Sequence, residues 1–534
     1  LHILLFIFPS VQSLQILVYS LAIAYSHLDF SSTLIRKLEA RGHTVDLIIA
    51  RLSNVITNNG THNARTVLNV GYSNGGPDWT RMPHITRPFS DLPGADAYAA
   101  TLALTYFKYT SQLCEHVLTS ESIAAHLSAH SYDLALISNY DTCPLILAHR
   151  YGIHRVVGYS PFPVGGPESV RTADWIKNQD IYIFQYYGGI PDLPIYIHDA
   201  GGRFEQFDIF NFADRFRNFV RNMFMMSERA QIFRGTNEIA RKHYGADFAN
   251  IYELGKGMFY ELTNSHPLLE APRVTSNRIK YIGGIGFKPA KNITDEYHRI
   301  LASADAGVVL ISFGSQILAD AFPSHVVDAF VHTAKNLPQL TFIWRYSKPL
   351  QEAPPNLHTV DWLPQNDLLQ SAKVVAFVSH MGMNSFVEAT FAGVPFLSIP
   401  LFADQIHNAY NAHRLGMGVI LRKQSITRDT MIRKMSEILF NETYRHRARE
   451  IASLLAIYPD DPSKVFVETV EFAAKATKLG EQFRLPGGDL PVWAHLGYDI
   501  ILILYSLLLL AVYISFNFAQ YILSRILLKK VKSD

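Results

Sequence analysis

Residues 360–405, VDWLPQNDLLQSAKVVAFVSHMGMNSFVEATFAGVPFLSIPLFADQ, restrict what this chain can fold into more than any other stretch. The run 374–378 is apolar, rich in β-branched residues and bounded by turn chemistry, which predicts a buried parallel strand. It stops at Ser379 and His380. After Met381 and Gly382 a helical pattern sets in, with Asn384 and Glu388 one turn apart on one face. A second apolar run, 395–399, ends before Asp404 and Gln405. Strand, helix and strand in that order call for a doubly wound α/β sheet, whose ligands bind at the carboxyl ends of the strands. The helix N-terminus there presents free N–H groups and partial positive charge, a ready phosphate site. His380 and Asn384 add donors, and Glu388 can accept from ribose hydroxyls. Asp404 and Gln405 can hold a polyhydroxylated group, Trp362 offers a stacking surface and Gln365 an amide. Singly, Trp362 also reads as a packing residue, Asn384 as a helix cap and His380 as a core histidine; only the constellation points to a nucleotide with a sugar attached.

The stretch resembles the signature of the UDP-glycosyltransferases, in particular the membrane-bound UDP-glucuronosyltransferases. The matching residues are Trp362, Leu363, Pro364, Gln365 and Asn366, then Ser379 to Ser385, Glu388, and Pro400 to Gln405. The resemblance implies that Trp362 stacks on uracil and that Gln365 and Glu388 bind the ribose. It places the diphosphate against His380 and Asn384, within the turn that also carries Ser379, Gly382 and Ser385, and the donor sugar against Asp404 and Gln405. One departure is Met381, where the family has a glycine.

Length and composition bound the rest. A chain of 534 residues can build two large domains, and 48% of it is apolar. A formal charge of +2 and no basic stripe argue against a nucleic-acid binder. The two cysteines, Cys114 and Cys143, exclude a disulfide framework and a cysteine-rich metal site, and whether they pair is open.

Both ends carry membrane information. Residues 1–13 read as the remnant of a secretory signal, the alternative being part of the first strand. Residues 500–524 form an uncharged run longer than the ~20 apolar residues a bilayer core requires, and predict a transmembrane helix at about 499–523. The tail 524–534 holds Arg525, Lys529, Lys530 and Lys532, whereas Asp489 and Asp499 precede the span, which places the tail in the cytosol and the bulk of the chain in the lumen. The last residues resemble a KxKxx retrieval signal and read equally as a basic anchor, so a single-pass type I protein of the endoplasmic reticulum membrane is expected. Sequons at Asn59, Asn292 and Asn441 fit lumenal glycosylation.

From the front, residues 14–24 read as a strand, 25–27 as a turn, 33–40 as a helix and 43–50 as a second strand. His27 thus lies at the carboxyl end of the first strand, and histidine titrates in the range a general base needs. The family places its base in this turn, so the resemblance implies that His27 deprotonates the acceptor hydroxyl. The acid that orients such a base is expected after strand 134–137, where this chain has Ser138. Asp141 is the remaining candidate to orient His27, or else caps the helix that follows. The aromatic segment 161–270 can line an apolar acceptor pocket or form ordinary core.

Punctuation at 265–289 marks a domain boundary, giving an acceptor-binding domain at 14–280, a UDP-sugar-binding domain at 281–478 and a juxtamembrane segment at 479–498. The first turn of the second domain carries Ser312 and Ser315, which the resemblance makes diphosphate or donor contacts. The strand at 342–345 ends in Arg345, which can meet uridine or phosphate. No GxGxxG motif follows the first strand of either half, and no Asp-x-Asp triplet sits in a suitable loop. The expectation is therefore a GT-B fold of two Rossmann-like domains facing across a cleft, with neither metal nor resident cofactor. Its substrates would be a UDP-sugar, UDP-glucuronate first and UDP-glucose second, and a small lipophilic acceptor. The alternative is a membrane-anchored nucleotide-sugar binder with impaired turnover. A homo-oligomer is left open.

Overall fold

The computed structural model describes residues 13–52, 56–72, 82, 86–90, 108–139, 142–161, 211–213, 235–272, 277–291, 293–350, 352–402, 404–476 and 498–531. Residues 1–12 of the signal remnant, Asp141, Asn292, most of the aromatic segment, residues 479–497 of the juxtamembrane segment and Lys532 lie outside the described residues.

Two all-parallel sheets organise the chain. The first has seven strands in the order β3-β2-β1-β4-β5-β6-β7: β1 Gln15–Ala22, β2 Thr44–Arg51, β3 Thr66–Gly71, β4 Leu134–Ser138, β5 Val156–Ser160, β6 Tyr260–Thr263 and β7 Ile279–Tyr281. The second has six in the order β10-β9-β8-β11-β12-β13: β8 Val308–Ser312, β9 Thr341–Arg345, β10 Leu357–Val360, β11 Val374–Ser379, β12 Phe396–Ser398 and β13 Gly418–Ile420. The apolar runs are continuous because both faces of each sheet are covered. In β1, Leu17, Tyr19 and Leu21 enter one core while Ile16, Val18 and Ala22 enter another. In β8, Val309 and Ile311 face one way and Val308 and Leu310 the other. This is the two-residue strand period expressed as two cores per domain. Strand order reverses between β1 and β4 and again between β8 and β11, so each sheet has a crevice at those carboxyl ends.

Helix α1 runs Tyr25–Ala40 and so begins eight residues before the expected start at 33. Ser31, Ser32 and Thr33 look like a cap in sequence, but all three are buried. Ser31 Oγ donates to the Leu28 carbonyl at 3.0 Å and lies 3.1 Å from Ser20 Oγ of β1. With Arg36 Nη2 donating to Thr33 Oγ1 at 2.7 Å as well, side-chain bonds at two of the three positions let the helix run through the polar triplet. Residues 25–27 are therefore a helical first turn, not a loop.

Helix α2, Cys143–Arg150, starts at a cysteine bonded to Cys114. This disulfide closes the question the sequence left open. The second domain contributes α3 (Met383–Phe391) and α4 (Gln405–Arg414) behind the turns that end β11 and β12.

The expected division at 280/281 needs two corrections. Tyr281 still belongs to β7 of the first sheet. Helix α5, Pro462–Lys475, returns to the first domain, where Phe466, Val470 and Ala473 share a core with Leu28, Leu34 and Leu38 of α1. Glu471 accepts from Arg41 at 3.0 Å and lies 3.2 Å from His43 Nε2. Amphipathic spacing shows that a helix buries one face but not which sheet receives it. Helix α6, Tyr498–Val531, includes an apolar stretch of 28 residues, Tyr498–Arg525, with none of its surface buried in the protein. At 1.5 Å per residue it exceeds the ~30 Å of a hydrocarbon core. Asn59 and Asn441 are exposed, Asn441 with its Oδ1 capping the helix Glu442–Ala456 through Thr443 N.

At the edge of the first sheet away from the crevice, the buried Asp46 accepts from Arg65 at 3.0 and 2.5 Å, lies 2.9 Å from His126 Nε2, and accepts from Tyr132 at 2.7 Å. Burial alone would raise its carboxyl; the donors of Arg65, Tyr132 and His126 more than offset this and hold it well below the usual carboxylate range. Replacing it removes charge-assisted bonds from three partly exposed donors, so Asp46→Ala should cost about 1.5–3 kcal/mol in urea unfolding. Because the folded value lies below the unfolded one, the contribution is complete above about pH 5 and lost as pH falls below about 4. Wild-type and variant stabilities should converge only in that acid range.

Candidate active site

The carboxyl ends of the two sheets enclose a cleft of about 400 Å³. From the first domain it is lined by the opening turn of α1, with Tyr25, Ser26, His27 and Asp29. His27 is 7% exposed, and its main-chain N–H donates to the Ala24 carbonyl at 3.2 Å. From the second domain come the turns that follow β8, β10, β11 and β12. The histidine that the sequence singles out and the nucleotide constellation thus line one cavity.

At its centre lies His380. A Cβ placed on Gly314 or on Gly382 would lie 2.6 Å from His380 Nε2, so the imidazole fills the space between the β8 and β11 turns. Gly314 has φ +73°, which favours glycine on conformational grounds as well. Burial pushes the imidazole down to about 4 against the opposing pull of Asp404 and the Ser312 main chain, with Arg345 adding to the fall. At neutral pH the ring is therefore an uncharged N–H donor.

Ser379 stands corrected as a ligand contact. It is fully buried and its Oγ accepts from Met381 N at 3.0 Å, so it braces the turn from behind. Met381 itself is left-handed, with φ 67°, and fully buried, while its carbonyl accepts from Asn408 Nδ2 at 2.9 Å. The glycine that the resemblance implies here is a conformational requirement. This chain meets it with a strained methionine at a cost of ~1–2 kcal/mol, held by core packing and those two bonds.

Trp362 is 60% exposed, and the Arg345 guanidinium lies 5.6 Å from its ring centroid. Arg345 Nη1 also donates to the Gly314 carbonyl. Its charge therefore backs the indole and steadies the β8 turn, leaving a flat platform open to a planar base. Tyr297 fixes the platform from below by donating to the Trp362 carbonyl at 2.7 Å.

Gln365 Nε2 donates to Glu388 Oε2 at 2.6 Å and to Ser385 Oγ at 3.0 Å. Burial raises the Glu388 carboxyl to about 7; the Gln365 bond works against the shift, and Asp29 across the cleft adds to it. Asn384, in the first turn of α3, accepts from Asn264 Nδ2 of the first domain at 3.4 Å. Ser312 Oγ accepts from Gly314 N at 3.4 Å, and Ser315 is exposed in the cleft wall. Asp404, at the start of α4, accepts from Asn408 at 3.2 Å. Gln405 Oε1 accepts from Leu401 N at 2.9 Å and Phe402 N at 3.1 Å, which commits that oxygen to the loop and leaves the amide NH₂ for a ligand.

The cleft thus gathers His27, Ser312, Ser315, Arg345, Trp362, Gln365, His380, Gly382, Asn384, Ser385, Glu388, Asp404 and Gln405. Ser138 ends β4 buried outside the lining. Sequence reasoning missed Asp29 and Gly314. Starting α1 at Tyr25 would have placed Tyr25 and Asp29 one turn apart on one helical face.

A family model described as UDP-glucoronosyl and UDP-glucosyl transferase matches residues 15–533. UDP-glucuronosyltransferase 3A1 of Xenopus laevis is 27% identical over 409 residues, covering 72% of this chain and 70% of its own length. The 2-hydroxyacylsphingosine 1-beta-galactosyltransferase of Mus musculus is 25% identical over 447 residues, covering 82% and 75%. Among solved structures, the glycotransferase of kitacinnamycin superposes with TM-score 0.55 at 18% identity over 86% of this chain and 99% of its own. The glycosyltransferase SnogD from Streptomyces nogalater gives 0.53 at 16% over 86% and 100%. The two-domain architecture is that of the GT-B glycosyltransferases.

The ribose contact that the resemblance implies for Glu388 requires its carboxylate form, whereas burial keeps it protonated below about pH 7. Uridine affinity, titrated calorimetrically between pH 8 and 6, should therefore fall toward a limit of about tenfold per unit below that value. Glu388→Gln should flatten the profile while weakening binding at pH 8.

Proposed function

The chain belongs to the UDP-glucuronosyl and UDP-glucosyl transferase family, and from that premise we propose that it transfers a sugar from a UDP-sugar to a hydroxyl of a small lipophilic acceptor, with inversion. The observation that carries this reading is that His27 lines the same cleft as the nucleotide-binding set. As the acceptor oxygen attacks the anomeric carbon from the face away from UDP, its proton passes to the His27 imidazole. The bond from the anomeric carbon to the diphosphate oxygen breaks in the same step, and UDP departs with that electron pair. The helix α3 N-terminus and the neutral His380 N–H meet the charge that develops there. Uracil would rest on Trp362, the ribose on Gln365 and Glu388, and the sugar hydroxyls on Asp404 and the Gln405 amide. Asp141 is the proposed orienting acid for His27.

Family membership makes UDP-glucuronate the first candidate donor. One observation favours a second, a neutral hexose such as UDP-glucose. Among the described residues Asp29, Asp367, Glu388 and Asp404 line the cleft, and Arg345 is its one arginine or lysine, already engaged by Gly314 and Trp362. A uronate carboxylate would meet like charge there.

The proposed setting is the endoplasmic reticulum membrane, with the catalytic part lumenal. A disulfide between Cys114 and Cys143 fits an oxidising compartment, and the apolar helix with basic residues after it fits a type I anchor.

Full-length protein in detergent, given both donors and a panel of small phenols, should release UDP and yield a β-linked product from an α-linked donor. His27→Ala should lower turnover by about 10²–10⁴-fold and leave UDP affinity within a few-fold. UDP binding without turnover, indifferent to His27→Ala, would instead identify a binding protein.

A further inference from the structure

Both donor-side turns are touched from behind by a piece of the first domain. Residues 86–90 belong to the stretch that leaves the first sheet after β3 and rejoins that domain at 108–118. Phe89 does not pack there. It is 6% exposed in the second domain's core, with ring centroids 5.7 Å from Phe313 and 5.1 Å from Phe322. Phe313 sits in the β8 turn, between Ser312 and Gly314. Beside it the Lys423 ammonium donates to the Pro88 carbonyl at 2.7 Å and to the Leu401 carbonyl at 3.0 Å. Leu401 lies in the loop that Gln405 clamps and that leads to Asp404. One cation and one aromatic ring thus join the first domain to the two loops that carry Ser312 and Asp404.

We propose that Phe89 and Lys423 form an interdomain clasp whose positioning residues set the β8 turn and the Asp404 loop for the donor, and so make donor binding depend on the first domain. This rests on the donor-site reading above. Neither residue lines the cleft, so each acts through the loop it holds. The chemistry suits a clasp: the ammonium that holds the Leu401 carbonyl gains the Pro88 carbonyl only while the domains meet, and an aromatic ring withdrawn from a core exposes apolar surface. The closed geometry is thereby favoured as a unit.

Lys423→Met keeps the stem and removes both bonds, Phe89→Leu keeps an apolar filler, and Lys423→Arg keeps the charge. In the full-length protein Lys423→Met and Phe89→Leu should each raise the UDP-sugar KM and the UDP Kd by roughly tenfold with little change in acceptor KM. The double variant should be scarcely worse than either single one, and Lys423→Arg should recover most of the loss. Without any ligand, amide hydrogen exchange at 313–315 and 401–405 should quicken by on the order of tenfold in Lys423→Met, while the first sheet stays protected. Unchanged exchange in those segments would overturn the clasp even in a protein that proves not to bind UDP. A uniform loss of stability with both KM values unmoved, or Lys423→Arg as impaired as Lys423→Met, would overturn it as well. Wild-type protein that fails to bind UDP, with the exchange prediction met, would overturn the donor reading instead.

Discussion

The imidazole of His380 occupies the gap between Gly314 and Gly382, and the geometry of the donor half follows from that fit. Two strand-to-helix turns can approach this closely only because neither carries a Cβ on the facing side. The ring then joins them into one surface with its remaining polar edge available to a ligand. Arg345 reinforces the arrangement by holding the Gly314 carbonyl while backing the Trp362 platform. Base platform and phosphate turn therefore share a support, so a disturbance at either reaches the other. The same burial that positions His380 strips its charge, so the ring can meet an anion only as an oriented N–H dipole and not as a cation.

Much of this was legible in the chain. The strands β1, β8 and β11 announce themselves as largely apolar runs because helices cover both faces, and the site residues follow from where such runs stop. What was not legible depends on contacts distant in sequence. The hydroxyls of Ser31, Ser32 and Thr33 read as a helix start until Ser20 and the Leu28 carbonyl are seen to engage Ser31. Ser379 looks like a ligand contact in a motif, whereas its hydroxyl is spent on the main chain of Met381. Phe89 gives no signal at all, since an aromatic residue in a polar stretch does not reveal which domain will bury it.

Charge in the cleft is distributed asymmetrically between the domains. Asp29 from α1 lies across the cleft from Glu388 of α3, and its charge adds to the burial that raises the Glu388 carboxyl. The ties between the two halves lie elsewhere. Asn264 reaches Asn384, Glu270 lies 2.8 Å from His407 in a buried pair, and α5 spans back to the first domain. The two halves are thus tied through the linker region and α5.

Helix α5 also has a consequence for biosynthesis. Arg41 and Glu471 are separated by 430 positions, and the core that Leu28, Leu34 and Leu38 share with Phe466 and Val470 cannot close until the later residues leave the ribosome. At ~5–20 residues per second that is a wait of roughly 20–90 s. Through that interval the nascent amino-terminal half carries an uncovered greasy strip and must be shielded by a chaperone or tolerate it.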